Sequence, residues 1–338
     1  MSRAALPIRI GVLGSAKIAR DFITGVASSE IVRVTAVASR TIEKAAAFAL
    51  DTGLKRSFGS YEAMLADPDI DAIYNPLPNG LHAAWTIRAA DARKHILCEK
   101  PLAATEAEAK AMFSAAARNG VHLVEAYPYL AQPMTIEARK LVATGAIGKL
   151  QLIRASFGVP FSDPNNIRLI ADLAGGAVMD VGSYAASFIR VMAGERPNRV
   201  HAVARWGVTG VDMQLAGTFE FPSGLLAQIG ASFTTGYHRH GQVCGDAGTI
   251  ETMFLNHPPI GGPAVFQVRH GAMGISPVET IPVAEGNGFL AEAESFARLV
   301  ATGDKQAWTG ATPQESIDIA AMLASLLQSA RQDTSIAI

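Results

Sequence analysis

The sequence predicts an α/β protein: an N-terminal doubly wound parallel sheet followed by an α+β region built on an open, mainly antiparallel sheet. Three observations predict it. Up to about Tyr127, short β-branched runs alternate with helical patterns, and strands separated by helices pair in parallel through right-handed crossovers. The first run passes into the first helical pattern through a turn that carries Gly11 and Gly14. Beyond Tyr127 the apolar runs follow one another with little helix between them, as hairpin-connected strands do. Two domains are expected, over residues 1–127 and 128–338.

In order, residues 8–13 read as a strand, 16–26 as a helix, 32–39 as a strand and 41–51 as a helix that Thr41 is placed to cap. A third strand at 72–75 precedes a helix over about 80–91. A fourth at 95–98 precedes a helix opened by Thr105-Glu106-Ala107-Glu108, a capping box in which Thr and Glu satisfy each other's backbone N–H. Residues 121–127 complete this set. After a helix over 133–144, stopped by Gly145, strands are expected at 150–157, 200–206, 215–221, 225–233 and 243–253. Pro222-Ser223-Gly224 supplies a hairpin turn. Residues 256–276, rich in Gly, Pro and His, read as an irregular excursion. Helices at 289–302 and 313–331 close the chain, the second opened by Thr312-Pro313-Gln314-Glu315.

Composition narrows the function classes. A chain of 338 residues with 49% hydrophobic and 17% charged side chains has material for two packed cores. Lys and Arg number 29 against 30 Asp and Glu, with no block of either sign, which argues against nucleic-acid and membrane-surface partners. Cys98 and Cys244 fit no metal spacing and no disulfide framework, so a reducing compartment is expected. The residues before the first strand show no basic region followed by a long apolar stretch, so the cytoplasm is the expected location.

The first strand–turn–helix is a dinucleotide-binding arrangement. Gly14 permits the tight turn, Ala16 stands where the backbone approaches a pyrophosphate, and Ala19 lets helix and strand pack closely. The helix N-terminus offers free N–H groups and a positive dipole end, so Gly11, Gly14, Ser15, Ala16, Lys17 and Ile18 are candidate phosphate contacts. The second strand ends in Ser39-Arg40, where an NAD enzyme usually places an acidic residue for the ribose 2′-hydroxyl. A guanidinium there suits a 2′-phosphate, so NADP is expected in preference to NAD.

Ligands of a doubly wound sheet lie beyond the carboxyl ends of its strands. Two strands end there in distinctive loops: Asn75-Pro76-Leu77-Pro78-Asn79, with His82 shortly after, and Glu99-Lys100-Pro101. Later comes Gly175-Gly176-Ala177-Val178-Met179-Asp180-Val181-Gly182-Ser183-Tyr184, whose Asp180 and Tyr184 are four apart and share a helix face. Asp163, Asn165, Asn166 and Arg168, in the loop before it, are candidate ligands for substrate hydroxyls, with Tyr127 a further substrate candidate. His238 and His240 alternate along a strand as on a solvated face.

These motifs, in this order, resemble the glucose–fructose oxidoreductase and inositol dehydrogenase (Gfo/Idh/MocA) family over essentially the whole chain. The Tyr184 ending is similar to the branch with D-xylose dehydrogenase, dimeric dihydrodiol dehydrogenase and 1,5-anhydrofructose reductase. The resemblance implies a hydride transfer between NAD(P) and a carbohydrate-like small molecule. It implies that Lys100 positions the reacting oxygen, Tyr184 acts as acid/base and Asp180 binds substrate or orients its neighbours. It also implies that the second domain's open sheet often forms an oligomer interface, and the strands over 215–221 and 225–233, rich in apolar residues for a solvated face, make a homo-oligomer, foremost a dimer, the expectation. Where many relatives carry Arg and His in the segment after the last parallel strand, this chain has Leu130 and Gln132. A free tyrosine, with a pKa of about 10, is a poor base near neutrality, and a neighbouring ammonium favours the phenolate. An NAD-dependent glycosidase of the same fold and a non-catalytic dinucleotide-binding regulator are the alternatives.

Overall fold

The computed structural model describes residues 5–161, 163, 165–257, 265–271, 276–284 and 286–338. In chain order its helices are α1 (Lys17–Gly25), α2 (Ile42–Thr52), α3 (Tyr61–Leu65), α4 (His82–Asp91), α5 (Glu106–Asn119), α6 (Pro133–Ala143), α7 (Ser183–Ala193), α8 (Gly288–Thr302) and α9 (Pro313–Gln332). The chain forms two units. The first holds Met1–Ala103, Ala107–Ala131 and Asn287–Pro313; the second holds Ala104–Glu106, Gln132–Gly286 and Gln314–Ile338.

In the first unit, β1 (Ile8–Leu13), β2 (Val32–Ala38), β3 (Arg56–Phe58), β4 (Ala72–Asn75), β5 (His95–Glu99) and β6 (Leu123–Ala126) pair in the order β3-β2-β1-β4-β5-β6. Every neighbouring pair is parallel. The order reverses at β1, between β2 and β4, and that reversal is the topological switch point where ligands of such sheets bind. Thr41 caps α2 as expected, its hydroxyl accepting the Lys44 N–H at 3.3 Å. β3 and α3, each too short to show a period, were not foreseen from the sequence.

The contiguous division at residue 127 differs from these units, because α8 packs in the first one. Phe289, Ala293, Phe296, Ala297 and Val300 join Phe22 of α1, Val26 just after it, and the apolar side chains of β1, β2 and β4 in one core. Phe22 stacks on Tyr74 (centroids 4.0 Å apart) and meets Phe289 edge-on. Asn287 caps α8 through its Oδ1, which accepts the N–H groups of Phe289 and Leu290, while its Nδ2 donates to Gly25 O at 2.7 Å. One side chain thus starts α8 and ties it to the end of α1.

The second unit is built on nine strands. They are β7 (Leu150–Gly158), β8 (Arg199–Trp206), β9 (Asp212–Glu220), β10 (Leu226–Ser232), β11 (His238–Gly245), β12 (Gly248–Thr252), β13 (Val265–His270), β14 (Val278–Pro282) and β15 (Ile336–Ala337). Their order is β14-β13-β12-β11-β7-β10-β9-β8-β15, antiparallel except for the β7–β10 pair. The run over 243–253 is two strands rather than one. The chain reverses at Asp246-Ala247, whose N–H groups donate to Lys149 O and Ile147 O, both at 3.0 Å. The excursion over 256–276 contains β13, while residues 258–264 and 272–275 lie outside the described ones.

Inner-face residues Leu215, Phe219, Ala227 and Ile229 are buried, so the apolar runs of β9 and β10 point inward. The outer face carries Val203, Leu226, Ala216 and Gln228, with Arg154 donating to Gln228 and Gln242. Arg190 of α7 pairs with Asp318 of α9 at 2.8 Å, both buried, and so links the two helices. No helix among the described residues is long and apolar enough to cross a membrane.

Candidate active site

The β1–α1 turn combines a left-handed glycine with a helix start that has no side-chain cap. Gly14 has φ +83°, a left-handed conformation that costs a non-glycine residue energy, and its N–H donates to Ala38 O at 2.7 Å. Helix α1 starts after Ala16 with no side-chain cap, so its first N–H groups keep their capacity for an anion. Ser15 and Lys17 are exposed there, and Ile18 is half-buried. Gly11 serves packing instead: it is buried, and a β-carbon on it would stand 2.7 Å from Met64 Sδ of α3.

At the end of β2, Ser39 is buried with its N–H on Phe58 O at 3.1 Å, and Arg40 is exposed. Among the described residues no carboxylate pairs with Arg40. Its charge is felt by Tyr61, whose hydroxyl would lie 3.8 Å from a β-carbon placed on Gly14 and whose ring packs edge-on to Trp85. Burial, the larger influence, still pushes the Tyr61 phenol up. Tyr61 and Trp85 therefore border the turn, and neither was picked out from the sequence.

The two proline loops are fastened to each other. His82 has no exposure, and its ring nitrogens meet Pro101 O at 2.8 Å and Leu77 O at 2.7 Å. Burial pushes its pKa down. A ring so enclosed bridges the loop of Pro76, Leu77, Pro78 and Asn79 to that of Glu99, Lys100 and Pro101; it has no nitrogen left for a cofactor or a substrate. Asn75 is also fully buried, its Nδ2 donating to Thr86 Oγ1 at 3.1 Å. What these loops offer a ligand is backbone, with Pro78 and Asn79 half-buried, and the half-buried Lys100.

Behind Lys100 lies a layer of buried acids. Glu99 accepts from Tyr74 Oη at 2.7 Å, and Glu125 accepts the Leu102 N–H at 2.8 Å. Glu292 of α8 is 1% exposed, and burial, with Glu99 and then Glu125 adding to it, holds its carboxyl well above the usual range. Tyr127, in the same unit, is 1% exposed and packs edge-on to Tyr129.

In the second unit the double-glycine motif opens the helix that carries Asp180 and Tyr184. The first turn, Val178–Gly182, is π-helical and leads directly into α7; such turns are rare and concentrate at functional sites. Asp212, at the start of β9, caps it: Oδ2 accepts the Val178 N–H at 2.7 Å. A β-carbon on Gly176 would stand 2.0 Å from Asp212 Oδ1, so only glycine lets the carboxyl come this close. Burial, the dominant influence, raises Asp212 to about 7 against the pull of the amides it accepts from.

Asp180 forms an ion pair with Arg168 Nε at 2.6 Å, and the Arg168 guanidinium lies 5.2 Å from the centre of the Phe161 ring. Asn166 accepts the Arg168 N–H at 3.0 Å, and Asp163 accepts that of Asn165 at 2.9 Å. Tyr184 is 8% exposed. Its hydroxyl accepts from Asn256 Nδ2 at 3.0 Å, and the Arg239 guanidinium lies 4.3 Å from its ring centre.

The structure thus brings Asp180, Arg168 and Tyr184 into one helix–loop assembly and Gly14, Arg40 and the helix α1 start into another. Sequence reasoning missed Asp212, Asn256, Arg239 and Tyr61. Arg239 had a signal: it sits between His238 and His240, so a strand with the histidines outward turns it inward. Among the described residues no group of three or more His, Cys, Asp or Glu side chains is arranged to hold a metal ion.

Comparison with known proteins gives a consistent result. Residues 8–127 match the Gfo/Idh/MocA family model described as "Oxidoreductase family, NAD-binding Rossmann fold", and residues 135–251 match the family's C-terminal domain. A D-xylose 1-dehydrogenase (NADP(+)) from Haloferax volcanii is 39% identical, covering 87% of this chain and 89% of its own. A trans-1,2-dihydrobenzene-1,2-diol dehydrogenase from Xenopus laevis is 30% identical, covering 95% and 96%. Among solved structures, a 3-ketoreductase from Actinomadura kijaniata in complex with NADP and TDP-benzene superimposes with a TM-score of 0.85 at 28% identity, covering 96% of this chain and 98% of that one.

Proposed function

Because the chain belongs to the Gfo/Idh/MocA oxidoreductase family, we propose that it moves a hydride between NADP, in preference to NAD, and a carbinol or carbonyl carbon of a sugar, polyol or related small hydroxy compound. The observation that carries this reading is Tyr184: a nearly buried phenol, its oxygen fixed by a side-chain donor, one turn after an Asp–Arg pair able to orient hydroxyl groups. The names of the relatives, a xylose dehydrogenase, a dihydrodiol dehydrogenase and a sugar-type ketoreductase, support the substrate class.

The residues present fit the dinucleotide. The left-handed Gly14 and the uncapped start of α1 suit the pyrophosphate, and Arg40, free of a carboxylate partner among the described residues, suits a 2′-phosphate. When bound, the nicotinamide supplies or accepts the hydride. The protein handles the proton. Tyr184 takes it from the hydroxyl in oxidation and returns it to the carbonyl oxygen in reduction. Lys100 positions that oxygen and steadies the negative charge that develops on it. Asp180, held by Arg168, orients the substrate through its other hydroxyls, with Asn165 contributing from the loop.

The expected location is the cytoplasm, in keeping with two cysteines outside any disulfide. The expected assembly is a homodimer formed through the outer face of the nine-stranded sheet, where Val203 and Leu226 are about half exposed. A panel of aldoses, polyols, inositols and dicarbonyls, with NADP and NADPH and followed by nicotinamide absorbance, tests the activity. Release of a chromogenic aglycone without net change in NADPH would establish a glycosidase instead, and tight dinucleotide binding without turnover of any substrate would establish a regulator.

A further inference from the structure

Tyr184 has neighbours that a core tyrosine does not need. Its hydroxyl meets Asn256 Nδ2 at 3.0 Å, and the Arg239 guanidinium lies 4.3 Å from its ring centre. Arg239 is 6% exposed and also lies 4.8 Å from the ring centres of Phe157 and Phe254, which enclose it in aromatic faces. Its Nη2 donates to Asn256 Oδ1 at 3.3 Å. That contact decides the orientation of the amide. A guanidinium is donor-only, so the carbonyl end of Asn256 must face it, and the NH2 end must face Tyr184. The phenolic oxygen is an acceptor at this contact, and its own proton is left for another partner.

The backbone of Asn256 is fixed in turn. It follows β12 in an irregular stretch, and Gln132 Nε2 donates to Asn256 O at 2.6 Å and to Gly286 O at 2.8 Å. Gln132 is 6% exposed and stands where the family resemblance has a histidine. A neutral imidazole donates from one nitrogen only, whereas the Gln NH2 holds two carbonyls at once.

We propose that Asn256, Arg239 and Gln132 form a support for Tyr184, in which Gln132 anchors Asn256, Arg239 sets its amide, and Asn256 and Arg239 together favour the phenolate over the phenol. Asn256 and Arg239 are positioning residues; the proton itself moves on Tyr184. The proposal rests on the reading of Tyr184 as the acid/base group. Its physical basis is that a donor to the phenolic oxygen strengthens when that oxygen becomes charged, and a cation over an aromatic face gains when the ring carries negative charge. Among the described residues, the other ionisable groups on neighbouring elements include Asp180, one turn earlier and paired with Arg168, His238 of β11, whose Nδ1 lies 3.0 Å from Gly236 O, Tyr237, whose ring packs edge-on to Phe157, and His257, next to Asn256. The cation seen over the ring face is the Arg239 guanidinium.

The test compares wild type with Asn256→Ala, Arg239→Met, Arg239→Lys, Gln132→His and Tyr184→Phe, each checked for folding by thermal melting. Two quantities are read: the pH profile of kcat for oxidation, and the ultraviolet titration of tyrosinate in the protein without substrate. Subtracting the Tyr184→Phe curve isolates the Tyr184 titration. Asn256→Ala and Arg239→Met should move that titration and the rising limb of kcat to higher pH together. The loss in kcat near neutrality should be about 10- to 100-fold, the worth of a hydrogen bond to a charged group. Arg239→Lys should recover part of it, and Gln132→His should show a smaller shift in the same direction. If Tyr184→Phe is slow yet Asn256→Ala and Arg239→Met leave the titration and the limb in place, the support is refuted while the acid/base reading stands. If Tyr184→Phe keeps wild-type turnover, the acid/base reading fails, and the proposal fails with it whatever the titration does. Should Arg239→Met not fold, Asn256→Ala decides alone, since its half-buried side chain closes no core.

Discussion

Replacing Asp212 by Asn should change how stability depends on pH, and the structure says in which direction. The buried carboxyl that caps the Tyr184 helix titrates at about 7 in the folded protein, against an ordinary 3.8. Below 3.8 the group is protonated in both states and its contribution is fully present. As pH rises towards about 7 the unfolded chain ionises while the folded one holds its proton, so stability falls; above that it levels off. A gap of roughly three units at ~1.4 kcal/mol each puts the total loss at no more than about 4 kcal/mol. Asn keeps an acceptor for the Val178 N–H and cannot ionise, but it turns an NH2 towards the second amide, at a cost of about 1 kcal/mol. The variant should therefore be the less stable protein near pH 3 and the more stable one near pH 8, by amounts of the order of 1 and 3 kcal/mol, with the curves crossing between about pH 4 and 5. Urea unfolding at a series of pH values measures this directly. Stability curves that run parallel across that range would refute the reasoning, for they would mean that the carboxylate stays ionised and its amide partners outweigh burial.

Three further outcomes are expected. Arg40→Ala should weaken NADP binding by about 10- to 150-fold and leave NAD nearly unchanged, because a charge-assisted contact to a phosphate is worth roughly 1.5–3 kcal/mol; calorimetry showing equal losses for both cofactors would remove Arg40 from the site. Tyr184→Phe should lower turnover by about 10²–10⁴ with dinucleotide affinity retained, and Lys100→Met should do at least as much; a double variant far slower than either would show that the two do not act as a unit. Light scattering at micromolar protein should report a dimer that Val203→Arg dissociates, and a wild-type monomer would discard the sheet-face interface.

Most of the parallel sheet was legible because its strands are continuous apolar runs punctuated by turn residues: Ile8–Leu13 and Ala72–Asn75 end where the sequence says they should. Arg56–Phe58 and Tyr61–Leu65 were not, since three and five residues show no period. The split between His238–Gly245 and Gly248–Thr252 was hidden because apolar residues flank the reversal on both sides. The motifs on which the proposed site rests, from Gly14 to Lys100 to Tyr184, are local in sequence and can be picked out by their spacing. What surrounds Tyr184 was not legible, because Asn256 lies 72 residues away in an irregular stretch and Asp212 looks like any carboxylate beside a turn. Contacts of that range come from tertiary packing and leave no local pattern. Burial also bears on chemistry: His82, Asn75 and Tyr127 have ligand-like side chains, yet each is buried.

The return of Gly288–Thr302 to the first sheet has a consequence for synthesis. The ribosome completes the six parallel strands by Ala126, but the helix that covers Phe22 and Tyr74 is made only after residues 132–286 have been polymerised. At about 5–20 residues per second that is a wait of roughly 8–30 s. During it the nascent sheet presents an uncovered apolar surface, the kind that trigger-type chaperones hold and that self-association exploits. A fragment ending near residue 127 would make that transient state permanent. It should bind hydrophobic dyes and precipitate, and a separately supplied peptide spanning 287–313 should restore its solubility.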